Sequence, residues 1–169
     1  MFLTEREFSF VIEKVFDYFK NEKDLRGYVE GKGWAHALAH AADTLNVIAS
    51  HSYSTEKESL DLLKIIKFKI LFSDSVYSHN EEERMTLPLP VLSIFKSGLL
   101  VDQQIFNWIS DYRSQLEEKK KLVSNPDGLN VLLNVRNFLS SLYFRLRFED
   151  IGHHFQKEIE ETLNSIREF

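Results

Sequence analysis

Apolar residues recur at intervals of three and four along most of this chain and nowhere alternate, which confines it to a fold of packed helices. Phe8, Val11, Ile12, Val15, Phe16 and Phe19 open the series, and Thr4 with Glu7 forms a capping box ahead of them, so the spacing predicts a helix over about 4–20. Asn21–Lys32 holds mixed charges with Gly27 and Gly31 and reads as a loop. A further helix starts near Ser54 or Thr55, where Glu58 completes a second box. It runs through Leu60, Leu63, Ile66, Ile70 and Leu71, with Lys64, Lys67 and Lys69 on its polar face.

Between Phe72 and Leu92, Glu81, Glu82 and Glu83 suit a helix start while Pro88 and Pro90 interrupt its continuation, so the expectation is a broken or kinked helix. Gly98 can cap it, and Asp102 then opens a helix with Ile105, Phe106, Ile109, Tyr112 and Leu116 on one face, ending near Lys120. Asn125-Pro126-Asp127-Gly128 has the residues of a tight turn. A long helix runs from Leu129 to Leu146, and a last one carries Phe155, Ile159, Leu163 and Ile166. Only 6 glycines and 3 prolines punctuate 169 residues, which again favours long regular elements. The expected architecture is one all-α domain over 1–169. Its antiparallel hairpins stack as a right-handed solenoid of the HEAT or armadillo kind, because several helices are apolar on two sides; a globular helical bundle is the alternative.

Composition excludes several functions. A net charge of -5 argues against nucleic-acid binding, which needs clustered Lys and Arg; Lys64, Lys67 and Lys69 come nearest, preceded by Glu56, Glu58 and Asp61. The absence of cysteine removes disulfides and thiol catalysis and leaves His, Asp and Glu as side-chain metal ligands. The acidic start Met1-Phe2-Leu3-Thr4-Glu5 is no secretory signal, and no apolar run is long enough for a bilayer. The expectation is a soluble cytoplasmic protein without a membrane partner.

Chemistry concentrates in Gly33-Trp34-Ala35-His36-Ala37-Leu38-Ala39-His40-Ala41-Ala42-Asp43. Read as a helix at about 100° per residue, this stretch puts His36, His40, Asp43 and Val47 on one stripe and Trp34, Leu38, Ala41, Leu45 and Ile48 on the other. The second stripe is core. The first lacks Lys and Glu and does not resemble a solvated face. His36 and His40 at i, i+4 with Asp43 can supply three ligands to a divalent metal such as Zn, with His79, Glu81, Glu82, Glu83 or Asp24 completing the shell. Ala37 occupies the place where a His-Glu-x-x-His hydrolase keeps its base, which weighs against that mechanism. The plainer reading is that the three groups are hydrogen-bonded to nearby loops, with Arg26 or Arg84 neutralising Asp43.

Gly27, Gly31 and Gly33 match no phosphate-loop pattern. His51 reads as a helix-end residue, and His153 and His154 as solvent-facing or capping residues at the start of the last helix. Asn134, Arg136 and Asn137 interrupt an apolar helix, where buried amides tie down neighbouring backbone at a helix junction or line a groove. On a concave solenoid surface Arg26, Trp34, Arg84 and Asn137 would be the ligand contacts beside the His/Asp stripe.

Asp24-Leu25-Arg26-Gly27-Tyr28, the Gly31-to-Asp43 stretch, Tyr77-Ser78-His79-Asn80-Glu81-Glu82-Glu83-Arg84 and Asn134-to-Leu146 together resemble a bacterial family known as domain of unknown function 2785. The resemblance implies a helical fold and brings no activity with it. It differs at Asn80, where the family tends to have Gly, and at Pro88 and Pro90. It also implies a further helical segment ahead of this region, so that Phe2, Leu3, Phe8 or Phe10 would line an uncovered face open to self-association. The sequence thus points to a non-enzymatic helical-repeat binding module that presents a polar His/Asp groove to a protein partner or small charged ligand. The alternative is a metal-dependent hydrolase using His36, His40 and Asp43.

Overall fold

Seven helices account for most of the residues that the computed structural model describes, which are 3–35, 37–72, 74–77, 88–119 and 126–166. They are α1 Glu5–Asn21, α2 Ala37–Ala49, α3 Glu56–Ile70, α4 Pro88–Ser97, α5 Asp102–Lys119, α6 Pro126–Phe148 and α7 His153–Ile166. Both capping boxes form: Thr4 N–H donates to Glu7 Oε2 at 2.8 Å, and Thr55 N–H to Glu58 Oε2 at 3.1 Å. Each box satisfies amide donors that the first turn of a helix leaves open.

Local chemistry sets three boundaries. Pro88 and Pro90 lie in the first turn of α4, where a missing N–H costs nothing and the fixed φ suits the helix, whereas Glu81, Glu82 and Glu83, the expected start of a broken helix, lie outside the described residues. Asn125 lies outside the described residues, and Pro126, Asp127 and Gly128 belong to the first turn of α6 rather than to a turn before it. The stretch after α1 is not all loop. Tyr28–Val29 (β1) pairs antiparallel with Gly33–Trp34 (β2), and Gly33 takes a φ of 88°, open to glycine at little cost. Two residues per strand are too few for alternation to register in sequence.

The packing obeys one rule. In the pairs α1/α3, α2/α4, α3/α5, α4/α6 and α5/α7, early residues meet early and late meet late, so every second described helix runs in the same direction. Lys69 late in α3 reaches the carbonyls of Lys20 and Glu22 at the end of α1, at 3.4 and 2.6 Å. Glu56, Leu63 and Lys67 of α3 bond in order to Gln104, Trp108 and Asp111 of α5. Asp102 and Arg113 of α5 meet His154 and Glu158 of α7. Late residues Asn46 and Ser93 join α2 to α4 at 2.7 Å, and Lys96 at the end of α4 pairs with Glu149 just past α6. Buried side chains from all seven helices join one hydrophobic cluster, with Phe19, Leu45, Ile66, Ile109 and Phe138 fully enclosed.

Polar groups inside this core correct the picture of a lysine-covered face on α3. Lys67 is buried between the rings of Trp108 and Tyr112, 5.4 and 4.6 Å from their centroids, and donates to the Trp108 carbonyl at 2.5 Å and to Asp111 at 2.9 Å. Lys69 is 1% exposed and lies over Phe19 and Phe72. Burial pushes both ammonium groups below the ordinary lysine value, opposed by Asp111 at Lys67 and by Glu22 at Lys69. Only Lys64 of the three faces solvent.

Asn134 acts as expected of a buried amide. Its Oδ1 accepts from Tyr77 N–H at 3.1 Å, and its Nδ2 donates to the carbonyls of Phe72 and Ser75 at 3.1 and 3.0 Å. The Tyr77 hydroxyl donates in turn to the Lys69 carbonyl. One side chain of α6 therefore holds the backbone that leaves α3.

Candidate functional site

The ribbon holds the approach to helix α2: Gly33–Trp34 pairs with β1, and Ala35 N–H donates to the Gly27 carbonyl at 2.8 Å. Trp34 consequently belongs to no helix face. It is 52% exposed and stands edge-on to Tyr28, with ring centroids 5.3 Å apart. The reading of Trp34 as core on a helical stripe is thereby corrected. Its stripe-mates Leu38, Ala41, Leu45 and Ile48 are buried as expected.

The opposite stripe of α2 is open to solvent. His40, Asp43, Thr44 and Val47 are all exposed, Val47 at 65%. The expectation of an unsolvated His/Asp face is corrected: the neighbours of α2, which are α1, α3 and α4, cover its other sides. Asp43 is not neutralised by Arg26. That guanidinium grips Asp24 instead, its Nε and one terminal nitrogen 2.8 and 2.6 Å from the two carboxylate oxygens, and this pairing holds the Asp24 carboxyl at about 2. His36, His79, Glu81, Glu82, Glu83 and Arg84 lie outside the described residues. Among the described residues no group of three His, Asp or Glu side chains could hold a metal ion.

Beside the exposed stripe, α1 and α2 enclose a groove of about 330 Å³. Val15, Ala37 and Ala41 make its floor, and Lys14, Tyr18, His40 and Thr44 its polar walls. Of the residues expected at a site, the described ones place His40 here; Asp43, Arg26, Trp34 and Asn137 are not among the walls. Asn137 lies half-buried on α6. The Thr44 hydroxyl donates to the His40 carbonyl at 3.0 Å, so its oxygen lone pairs are what it offers outward. Tyr18 is hydrogen-bonded to Glu22, which raises the phenol and, together with the Asp24 amide, lowers the carboxyl. Lys14 lies 3.2 Å from Glu13 and 5.3 Å over the Phe10 ring. The groove combines small apolar residues with one lysine and an imidazole, which suits binding of a negatively charged group.

Nothing in the sequence singles out Lys14, Tyr18 and Thr44. Lys14 and Tyr18 sit at i, i+4 on α1, a spacing that marks a shared face, but nothing local says that α2 packs alongside it. Of the residues expected on an uncovered face of α1, Phe8 is core at 4% exposure and stacks on His51, whereas Leu3 and Phe10 are exposed, Phe10 at 59%. Phe2 lies outside the described residues. His153 and His154 are exposed at the start of α7, as solvent-facing residues, with Nε2 atoms 2.8 Å from an Asp150 oxygen and 3.2 Å from an Asp102 oxygen. No helix among the described residues is long and apolar enough to cross a membrane.

No curated protein and no solved structure is significantly similar to the chain. A family model described as protein of unknown function (DUF2785) matches residues 1–144, which runs from α1 through most of α6 and includes the ribbon, the groove and Asn134. The capped first helix, the Gly-Trp ribbon and the amide-clamped α3–α6 junction are therefore features of a family member, and the chain belongs to the DUF2785 family.

Proposed function

We propose that this protein is a non-enzymatic binding module made of stacked helical hairpins, which offers the outer strip of α2 and the adjoining α1–α2 groove to a partner protein or small charged ligand. The stacked reading, as against a globular bundle, is supported by the direct contact of parallel alternate helices, α1 to α7, among the described residues. Hairpins repeated in one direction produce that pattern. The binding role rests on a single observation: the polar strip His40–Asp43–Thr44 is left uncovered next to a groove with an apolar floor. Lys14 is the cation at the rim of this groove, and its pairing with Glu13 is solvent-exposed and readily exchanged, so an acidic peptide or a small carboxylate is the ligand chemistry it favours.

Titration of the isotope-labelled protein with citrate and with hexaglutamate, read by amide NMR shifts, tests this. Saturable shifts centred on Lys14–Tyr18 and Ala37–Thr44 are expected with at least one of the two probes. Lys14→Glu should abolish them, and His40→Ala should weaken them several-fold. Shifts that fail to saturate with either probe, or that persist in Lys14→Glu, would overturn the reading.

A further inference from the structure

On the other side of α2, where its C-terminal end lies beside that of α4, a second cleft of about 440 Å³ opens. Its polar walls are Ser50, His51, Ser52, Ser54, Ser93, Lys96 and Ser97. Four of the five serines have their protons already committed. Ser50 donates to the Asn46 carbonyl at 3.0 Å, Ser54 to the Ile48 carbonyl, Ser93 to Asn46 Oδ1 at 2.7 Å and Ser97 to the Ile94 carbonyl at 2.7 Å. A hydroxyl whose proton is spent has only lone pairs left, so these oxygens face a ligand as acceptors.

His51 supplies the opposite polarity. Its Nδ1 accepts from Tyr53 N–H at 3.1 Å, and its ring is stacked on Phe8 with centroids 4.2 Å apart and planes 20° apart. A nitrogen that accepts an amide proton carries none itself, so the neutral ring is fixed with its proton on Nε2, a donor. Lys96 is a second donor, and its charge is met by Glu149. The walls thus interleave acceptors and donors with no net charge left over. Two helix C-termini meet there as well, and their dipoles work against an anion.

We infer that this cleft binds a small uncharged polyol or sugar, whose adjacent hydroxyls both donate and accept, with the serine oxygens taking its protons and His51 Nε2–H donating to it. The site is separate from the α1–α2 groove, so its fate does not depend on the function proposed above. Amide NMR titration of the full chain with glycerol, myo-inositol and glucose provides the test, with sodium phosphate and tetramethylammonium chloride as charged probes. Saturable shifts confined to Ser50–Ser54 and Ser93–Leu99 are expected with at least one polyol and with neither charged probe. Ser50→Val, at the exposed rim, should weaken binding at least tenfold, and Ser93→Ala should do so several-fold, with helical circular dichroism unchanged in both. Saturable binding of a charged probe at these residues, no saturation by any polyol, or polyol affinity unaltered in a folded Ser50→Val variant would overturn the assignment.

Discussion

The outer strip of α2 and the inner side of α3 with its junction to α6 are both polar, and they trade the places their residue types suggest. His40 and Asp43, set among alanines on a helix without lysine, stand in solvent, while Lys67 and Lys69, on an alternating charged helix, are buried, as is Asn134. Composition of a helix face therefore says little about its exposure when the helix is surrounded on several sides. A long aliphatic stem lets lysine fill apolar space while its ammonium finds a carbonyl, as Lys67 does with Trp108 and Lys69 with Glu22. A short aspartate on an alanine-rich helix has no such reach, and water serves it better.

On this contrast, damage at the junction should greatly exceed damage at the strip. Asn134→Ala would leave Tyr77 N–H and two carbonyls inside the protein without their partner, and each such group costs about 1–3 kcal/mol. A loss on the order of 4 kcal/mol in urea unfolding is expected; a loss below about 1 kcal/mol would show that the stretch of backbone at 74–77 is held by something else.

Lys67→Met comes next, at about 1–2 kcal/mol, because the thioether keeps the packing between Trp108 and Tyr112 but removes the side-chain donor to the Trp108 carbonyl and the partner of Asp111. This variant also tests the electrostatics. Burial holds Lys67 below the ordinary value of 10.5, so in the alkaline range up to 10.5 the unfolded chain binds this proton more fully than the folded one. By linkage its contribution to stability rises with pH across that window. Tyr112, whose phenol is pushed up by burial, acts in the opposite sense above its ordinary value of 10.0. Urea midpoints measured at successive pH values between neutrality and 10 should climb less, or fall more, in Lys67→Met than in the native chain. Superimposable profiles would mean that the ammonium is not desolvated.

The smallest effect belongs to the strip. His40→Ala should change stability by no more than about 0.5 kcal/mol, as for other exposed positions. A thermal unfolding shift corresponding to more than about 1 kcal/mol would place His40 among the structural residues after all.

Asn134 is readable as a junction amide because an isolated amide in an apolar helix has few other uses, and its role needs no knowledge of its partners. The groove is only half readable. His40 stands out by residue type, whereas Lys14, Tyr18 and Thr44 are ordinary surface residues until α1 and α2 are laid side by side. Trp34 misleads for a related reason: two backbone pairs with Tyr28–Val29 outweigh the helical periodicity that continues through it on paper.

What the amino-acid order determined by itself were the features set within four residues: the boxes at Thr4 and Thr55, the cap at Gly98, the extent of α1 and α3, and the all-helical class. Their hydrogen bonds close between near neighbours, so local chemistry suffices. Tertiary structure alone decided that α3 runs parallel to α5, that two lysines turn inward, and that His40 rather than Trp34 borders a groove. Those outcomes depend on which distant surface each face meets, and desolvation acts on the assembled neighbours, not on the order of residues along one helix.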